Sequence, residues 1–127
     1  MLPLRYRGWW IALSTALVAA LVYGSLVPVP PLSMPGNFDK LEHFTVYAGL
    51  AIWFAGLFPR SSYGGVVLAL LLLAGGLEVA QGLMHMGRQA DVLDMAANAT
   101  GVGIGLACSL VLTGNWARRV ESWLGPR

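Results

Sequence analysis

Charge is what this sequence has least of: Asp, Glu, Lys and Arg together make up 11% of its 127 residues, while hydrophobic residues make up 57%. So little polar surface cannot cover a water-soluble globule, and with a mean hydropathy of +0.66 the composition is that of a single-domain membrane protein. Net charge is only +2, and a pI near 9.0 reflects a few arginines rather than a basic stripe, so nucleic acid is not an expected partner. The one cysteine, Cys108, sits in an apolar run. It allows no intramolecular disulfide and reads as a small core residue. Also absent are an HExxH zinc helix, a phosphate-binding glycine loop and a Ser/His/Asp order.

What is present is a series of apolar runs. Gly8 to Val27 carries no formal charge, and about 20 helical residues cross a hydrocarbon core. Arg5 and Arg7 precede it as they would a signal peptide, but the run exceeds a signal peptide's apolar core and is expected to be retained as a span. Its small residues Ala12, Ser14, Ala16, Ala19, Ala20 and Gly24 predict close helix packing. Pro28, Pro30, Pro31 and Pro35 then rule out continuous helix and predict an extended loop. Asp39 with Glu42 three residues on is a capping-box pattern opening a helix over about 40–58, and a third span follows over about 63–86. Asp91 and Asp94 repeat the cap pattern before a fourth span over about 92–113, in which Gly101, Gly103 and Gly105 predict a close-packing surface, as Gly75 and Gly76 do in the third. In the tail, Trp116, Val120, Trp123 and Leu124 share one face of a short amphipathic helix expected to lie at the membrane surface.

The fold expected is therefore all-α, an integral membrane four-helix bundle with a short interfacial carboxyl-terminal helix. Four spans put Arg5, Arg7, Arg60, Arg118, Arg119 and Arg127 on one side and only Lys40 and Arg88 on the other, which places both termini in the cytoplasm.

That topology gathers the polar residues. Asp39 to His43 opens the second helix, Glu78 to Arg88 closes the third and Asp91 to Asn98 opens the fourth, so all three meet at the outer face. A rise of 1.5 Å per residue puts Glu78 about 15 Å along the helix from Arg88 and Asn98 about 10 Å from Asp91. Glu78, Gln81 and His85 share one stripe, as do Asp91, Asp94 and Asn98. Polar groups are expensive in lipid, so they are expected to point inward and pair, with His43, Glu78 and Asn98 converging beneath the surface. Each has a structural reading too: Asp39, Glu42, Asp91 and Asp94 as caps, Arg88 as an interfacial anchor, Tyr47 as a core aromatic and Asn98 as interhelical glue. Glu78, between Leu77 and Val79, demands a partner most strongly.

The ordered set Asp39-Lys40, His43, Tyr47, then Glu78 and Gln81, then Arg88, Asp91, Asp94, Asn98, Gly101 and Gly105 resembles the VanZ-like family of small bacterial membrane proteins, which takes its name from a teicoplanin-resistance accessory protein. The resemblance covers the three helices after the first; Gln89 and Ala90 depart from the small or hydroxyl residues frequent in relatives. It implies a multi-pass protein of the bacterial cytoplasmic membrane, acting in envelope physiology or antibiotic resistance. The binding residues it implies are Asp39, Lys40, His43, Tyr47, Glu78, Gln81, Arg88, Asp91, Asp94 and Asn98.

Two functions follow as expectations. In the first, the pocket binds a lipid-linked glycan precursor or a glycopeptide-like ligand, with Lys40 and Arg88 engaging phosphate or carboxylate. In the second, the protein is an intramembrane transferase or hydrolase acting on a lipid headgroup, with Glu78 or His43 as general base and Asp91 or Asp94 holding a divalent cation. Met84-His85-Met86 offers soft donors, but neighbouring side chains on a helix diverge, so no metal site and no cofactor is assigned.

Overall fold

A computed structural model describes residues 1–27, 38–84 and 91–125 and is all-helical, with no strand among those residues. Five α-helices follow in order: α1 Arg7–Leu26, α2 Phe38–Leu57, α3 Tyr63–Met84, α4 Val92–Cys108 and α5 Trp116–Trp123. A 3-10 turn, Arg60–Ser62, leads into α3, and a π turn, Ser109–Thr113, prolongs α4. Three segments, Arg7–Leu26, Arg60–Met84 and Val92–Thr113, are long and apolar enough to cross a membrane. The expected fourth span, α2, has the length but is not among them, because its first two turns carry Asp39, Lys40, Glu42 and His43. The expected proline loop, the turn at Gly87 to Ala90, His85 and Arg88 lie outside the described residues.

Helix ends follow local chemistry. At the end of α1, Val27 is extended (φ −72°, ψ 131°), the conformation a residue preceding proline prefers. At the start of α4, Asp91 is the N-cap, its carboxylate accepting from the Leu93 amide at 2.8 Å. Asp39 differs from expectation: α2 begins at Phe38, so Asp39 stands inside the first turn rather than capping it. There its negative charge still favours the positive end of the helix dipole.

The most extensive helix contact is α2 against α4. Gly101 and Gly105, one turn apart on α4, make it possible: a Cβ at Gly101 would collide with the Phe44 carbonyl oxygen, and one at Gly105 with that of Ala48. Gly103 and Gly76, expected to share such surfaces, meet nothing and face outward, while a Cβ at Gly75 would stand 3.1 Å from the Met95 methyl. Around the seam, Tyr47, Leu50 and Ala51 of α2 pack with Val66, Leu70 and Ala74 of α3 and Val102 of α4.

The end of the bundle remote from the acids is aromatic. Trp10, Trp53 and Trp116, from α1, α2 and α5, pack edge-to-face or tilted with centroid separations of 5.2–5.9 Å. The Trp116 ring lies over Gly56 and donates Nε1–H to the Ile52 carbonyl at 3.0 Å. α5 is thus docked, with Ala117 and Glu121 buried and only Trp123 and Leu124 of its expected membrane face exposed. Glu121 accepts from the Arg5 and Tyr6 amides and from Trp10 Nε1–H at 2.7–2.8 Å. It caps α1 from the far end of the sequence, a role that local spacing cannot reveal.

The α2–α4 seam makes a testable prediction. Gly101→Ala and Gly105→Ala should each destabilise the detergent-solubilised protein by about 1–3 kcal/mol, because backbone would have to move. Gly103→Ala should be neutral or slightly stabilising. Equal melting temperatures for all three variants would contradict a glycine-dependent seam.

Candidate functional site

The acids other than Glu121 collect where the first turns of α2 and α4 meet the last turns of α3, and their arrangement begins with Glu78. Glu78 is buried in α3, and its Oε1 accepts from the Asp91 amide at 2.5 Å. In a capping box, Asp94 would reach back to that amide. With the amide bonded to Glu78, Asp94 turns towards α2 instead.

On α2, Lys40 donates to Asp91 Oδ2 at 3.4 Å and stands 3.7 Å from Asp94 Oδ1. The Leu93 amide bonded to its carboxylate, with Lys40 beside it, holds Asp91 below the usual carboxylate range despite partial burial. A depressed pKa means that the cap and the ion pair are intact at neutral pH and are lost only as pH falls through that value. Next along α2, His43 Nδ1 lies 3.0 Å from Oδ1 of Asn98, which is almost wholly buried. Its Nε2 faces Asp39 Oδ1 and Asp94 Oδ2, each 3.9 Å away. Asp94 itself is buried, and its Oδ1 has no hydrogen-bond partner among the described residues.

Beside this cluster opens a cavity of about 560 Å³ between α1, α2 and α3. Its polar end is formed by Asp39, Glu42, His43, Glu78, Gln81 and Asn98. Its apolar end runs down to Leu17, Leu21, Val46, Leu50 and Trp53, and buried Tyr47 stands between the two. Two clasps hold α1 across it: Trp53 Nε1–H donates to Ser14 Oγ at 2.9 Å, and Gln81 Nε2 donates to the Ser25 carbonyl at 2.8 Å.

The structure therefore brings together nine of the ten expected binding residues, and divides them. Asp39, His43, Tyr47, Glu78, Gln81 and Asn98 line the cavity; Lys40, Asp91 and Asp94 form an ion-paired wall behind it. Arg88 lies outside the described residues. His43, Glu78 and Asn98 line the same cavity, with His43 and Asn98 in contact. Sequence reasoning did not include the α1 wall, Leu17, Ala20, Leu21, Gly24 and Ser25. The one available signal was the small-residue run there, which was read as close packing. It also did not group Asp39, His43 and Asp94, although Asp39 and His43 stand one turn apart. Comparison with protein-family models, with curated proteins and with solved structures gives no match.

If the Glu78–Asp91 bond fixes the site, Glu78→Ala should cost about 1–3 kcal/mol, because it orphans a part-buried amide. Glu78→Gln keeps an acceptor oxygen and should cost less. Thermal unfolding in detergent checks this; equal losses for the two variants would argue against the bond.

Proposed function

We propose that the protein is a VanZ-like four-span protein of the bacterial cytoplasmic membrane, acting in envelope physiology by binding a lipid-linked glycan or glycopeptide-like ligand. The observation that carries this reading is the polarity gradient of the cavity. Carboxylates and a histidine at one end suit the hydroxyls and amines of a sugar or peptide head, each of which donates to an acceptor-rich wall. Leucines, Val46 and Trp53 at the other end suit an alkyl chain.

Charge supports the orientation. Among the described residues, Arg5, Arg7, Arg60, Arg118 and Arg119 belong to the end of the termini and Lys40 to the end of the acids, so the positive-inside rule favours the acidic end outside and both termini in the cytoplasm. Lys40 engages Asp91 and Asp94 rather than lining the cavity, so a ligand phosphate would depend on Arg88. A second reading, a transferase or hydrolase acting on a lipid headgroup, is favoured by His43, which lines the cavity between two carboxylates. Glu78 fits the general-base role less well, since it already accepts the Asp91 amide.

Native mass spectrometry of gently extracted protein tests the binding reading. Wild type should retain a glycolipid-like species, and Gly49→Trp should lose it, since Gly49 lines the cavity and its Cβ position is open space. Lipid retention unchanged by Gly49→Trp would count against the cavity as the binding site. Product formation from such a lipid, abolished in His43→Gln, would favour the enzyme instead.

A further inference from the structure

We infer that Asp39, His43 and Asp94 form a binding site for a divalent first-row cation, Mn2+ or Zn2+. The site stands on geometry independent of what fills the cavity. One ligand atom from each of the three residues lies within 4.8 Å of the others. Donor atoms around a four-coordinate ion at about 2.1 Å lie about 3.4 Å apart. The 3.9 Å separations from His43 Nε2 to the two carboxylates therefore need only small side-chain adjustments.

Three further features point to a cation. First, His43 is oriented as a ligand. An amide oxygen only accepts, so Asn98 Oδ1 takes the Nδ1 proton. In the neutral ring that directs the Nε2 lone pair at Asp39 and Asp94, and metal-bound histidines characteristically donate their other ring N–H to a fixed acceptor in this way. In the neutral ring, three electron-rich atoms face one another with no hydrogen between them.

Second, one oxygen of buried Asp94 has no hydrogen-bond donor among the described residues. The Asp94 side chain is 8% exposed, and that oxygen is Oδ1. The nearest cation, Lys40, stands 3.7 Å from Oδ1 and gives its hydrogen bond to Asp91. A buried carboxylate oxygen without a donor is costly, and a bound cation offsets that cost.

Third, the charge balance is uneven. Among the described residues, Asp39, Glu42, Glu78, Asp91 and Asp94 gather at this end with Lys40 as the one lysine or arginine paired with them. One imidazole nitrogen with two carboxylate oxygens is a mixed donor set that suits Zn2+ or Mn2+ better than the all-oxygen cages of Ca2+. Asp39 and His43 also line the cavity. A bound ion would thus keep coordination positions open towards it, as three-ligand sites do.

The test uses the full chain in nanodiscs, stripped with chelator and titrated with Mn2+ alone, then with Zn2+ alone. Wild type should take up about one ion per chain, and bound Mn2+ should show nitrogen coupling in pulsed electron paramagnetic resonance that disappears in His43→Gln. Asp39 is half-exposed, so Asp39→Asn should lower the melting temperature only slightly, through its helix-dipole contribution, while weakening binding about tenfold or more. Lys40→Gln removes the competing ammonium and should tighten binding. No uptake by wild type would overturn the site. So would binding that lacks the nitrogen signature or is indifferent to Asp39→Asn, which would identify surface ions only.

Discussion

The arrangement of the acidic end depends on one bond, the Asp91 amide donated to the buried Glu78 carboxylate. A carboxylate in an apolar helix must find donors, and the first amides of the next helix are unsatisfied by construction. Joining the two needs satisfies both, and it ties α3 to the start of α4. It also has an indirect effect. By taking the amide that a capping box would assign to Asp94, Glu78 turns Asp94 towards α2, where it meets His43 and Lys40.

The α2–α4 glycine seam sets the other dimension. With backbones in contact at Gly101 and Gly105, the helices have little freedom to slide, because each glycine sits against one carbonyl of α2. Asn98 lies one turn before Gly101 on the same face, so the seam fixes its depth and brings His43 within hydrogen-bond distance. The site geometry is therefore inherited from packing, and the polar side chains join helices already in register.

Much of this was legible in the sequence, for a physical reason. In a chain so poor in charge, each polar residue inside an apolar run must turn inward, so helical spacing and depth together predict convergence. Asp91 as a cap and the meeting of His43, Glu78 and Asn98 follow from that. What spacing could not supply was choice among partners. Asp94 and Glu78 were both candidates for the same region, and only three-dimensional packing gives the Asp91 amide to Glu78. Glu121 reaches the Tyr6 amide, at the N-cap of α1, across 115 residues of sequence, a contact with no local signature. α2 read as a span by length, yet its charged first turns set it apart from the three more apolar helices.

The cavity shows why small residues alone do not predict close packing. Ala20 and Gly24 line open space, and a Cβ at Gly24 would meet nothing. The cause lies in the side chains that reach α1 from its neighbours. Trp53 and Gln81 are long, and each meets α1 through a hydrogen bond at its tip, so they hold the helix off at two points while the small residues between leave the gap unfilled. Were those two positions small and apolar, α1 would be free to collapse onto α2 and α3 and bury its alanine face. The cavity is therefore a consequence of how α1 is held. An amphiphile entering beside α1 would meet the acidic residues at the polar end of the cavity and leave the glycine contacts of the α2–α4 seam undisturbed.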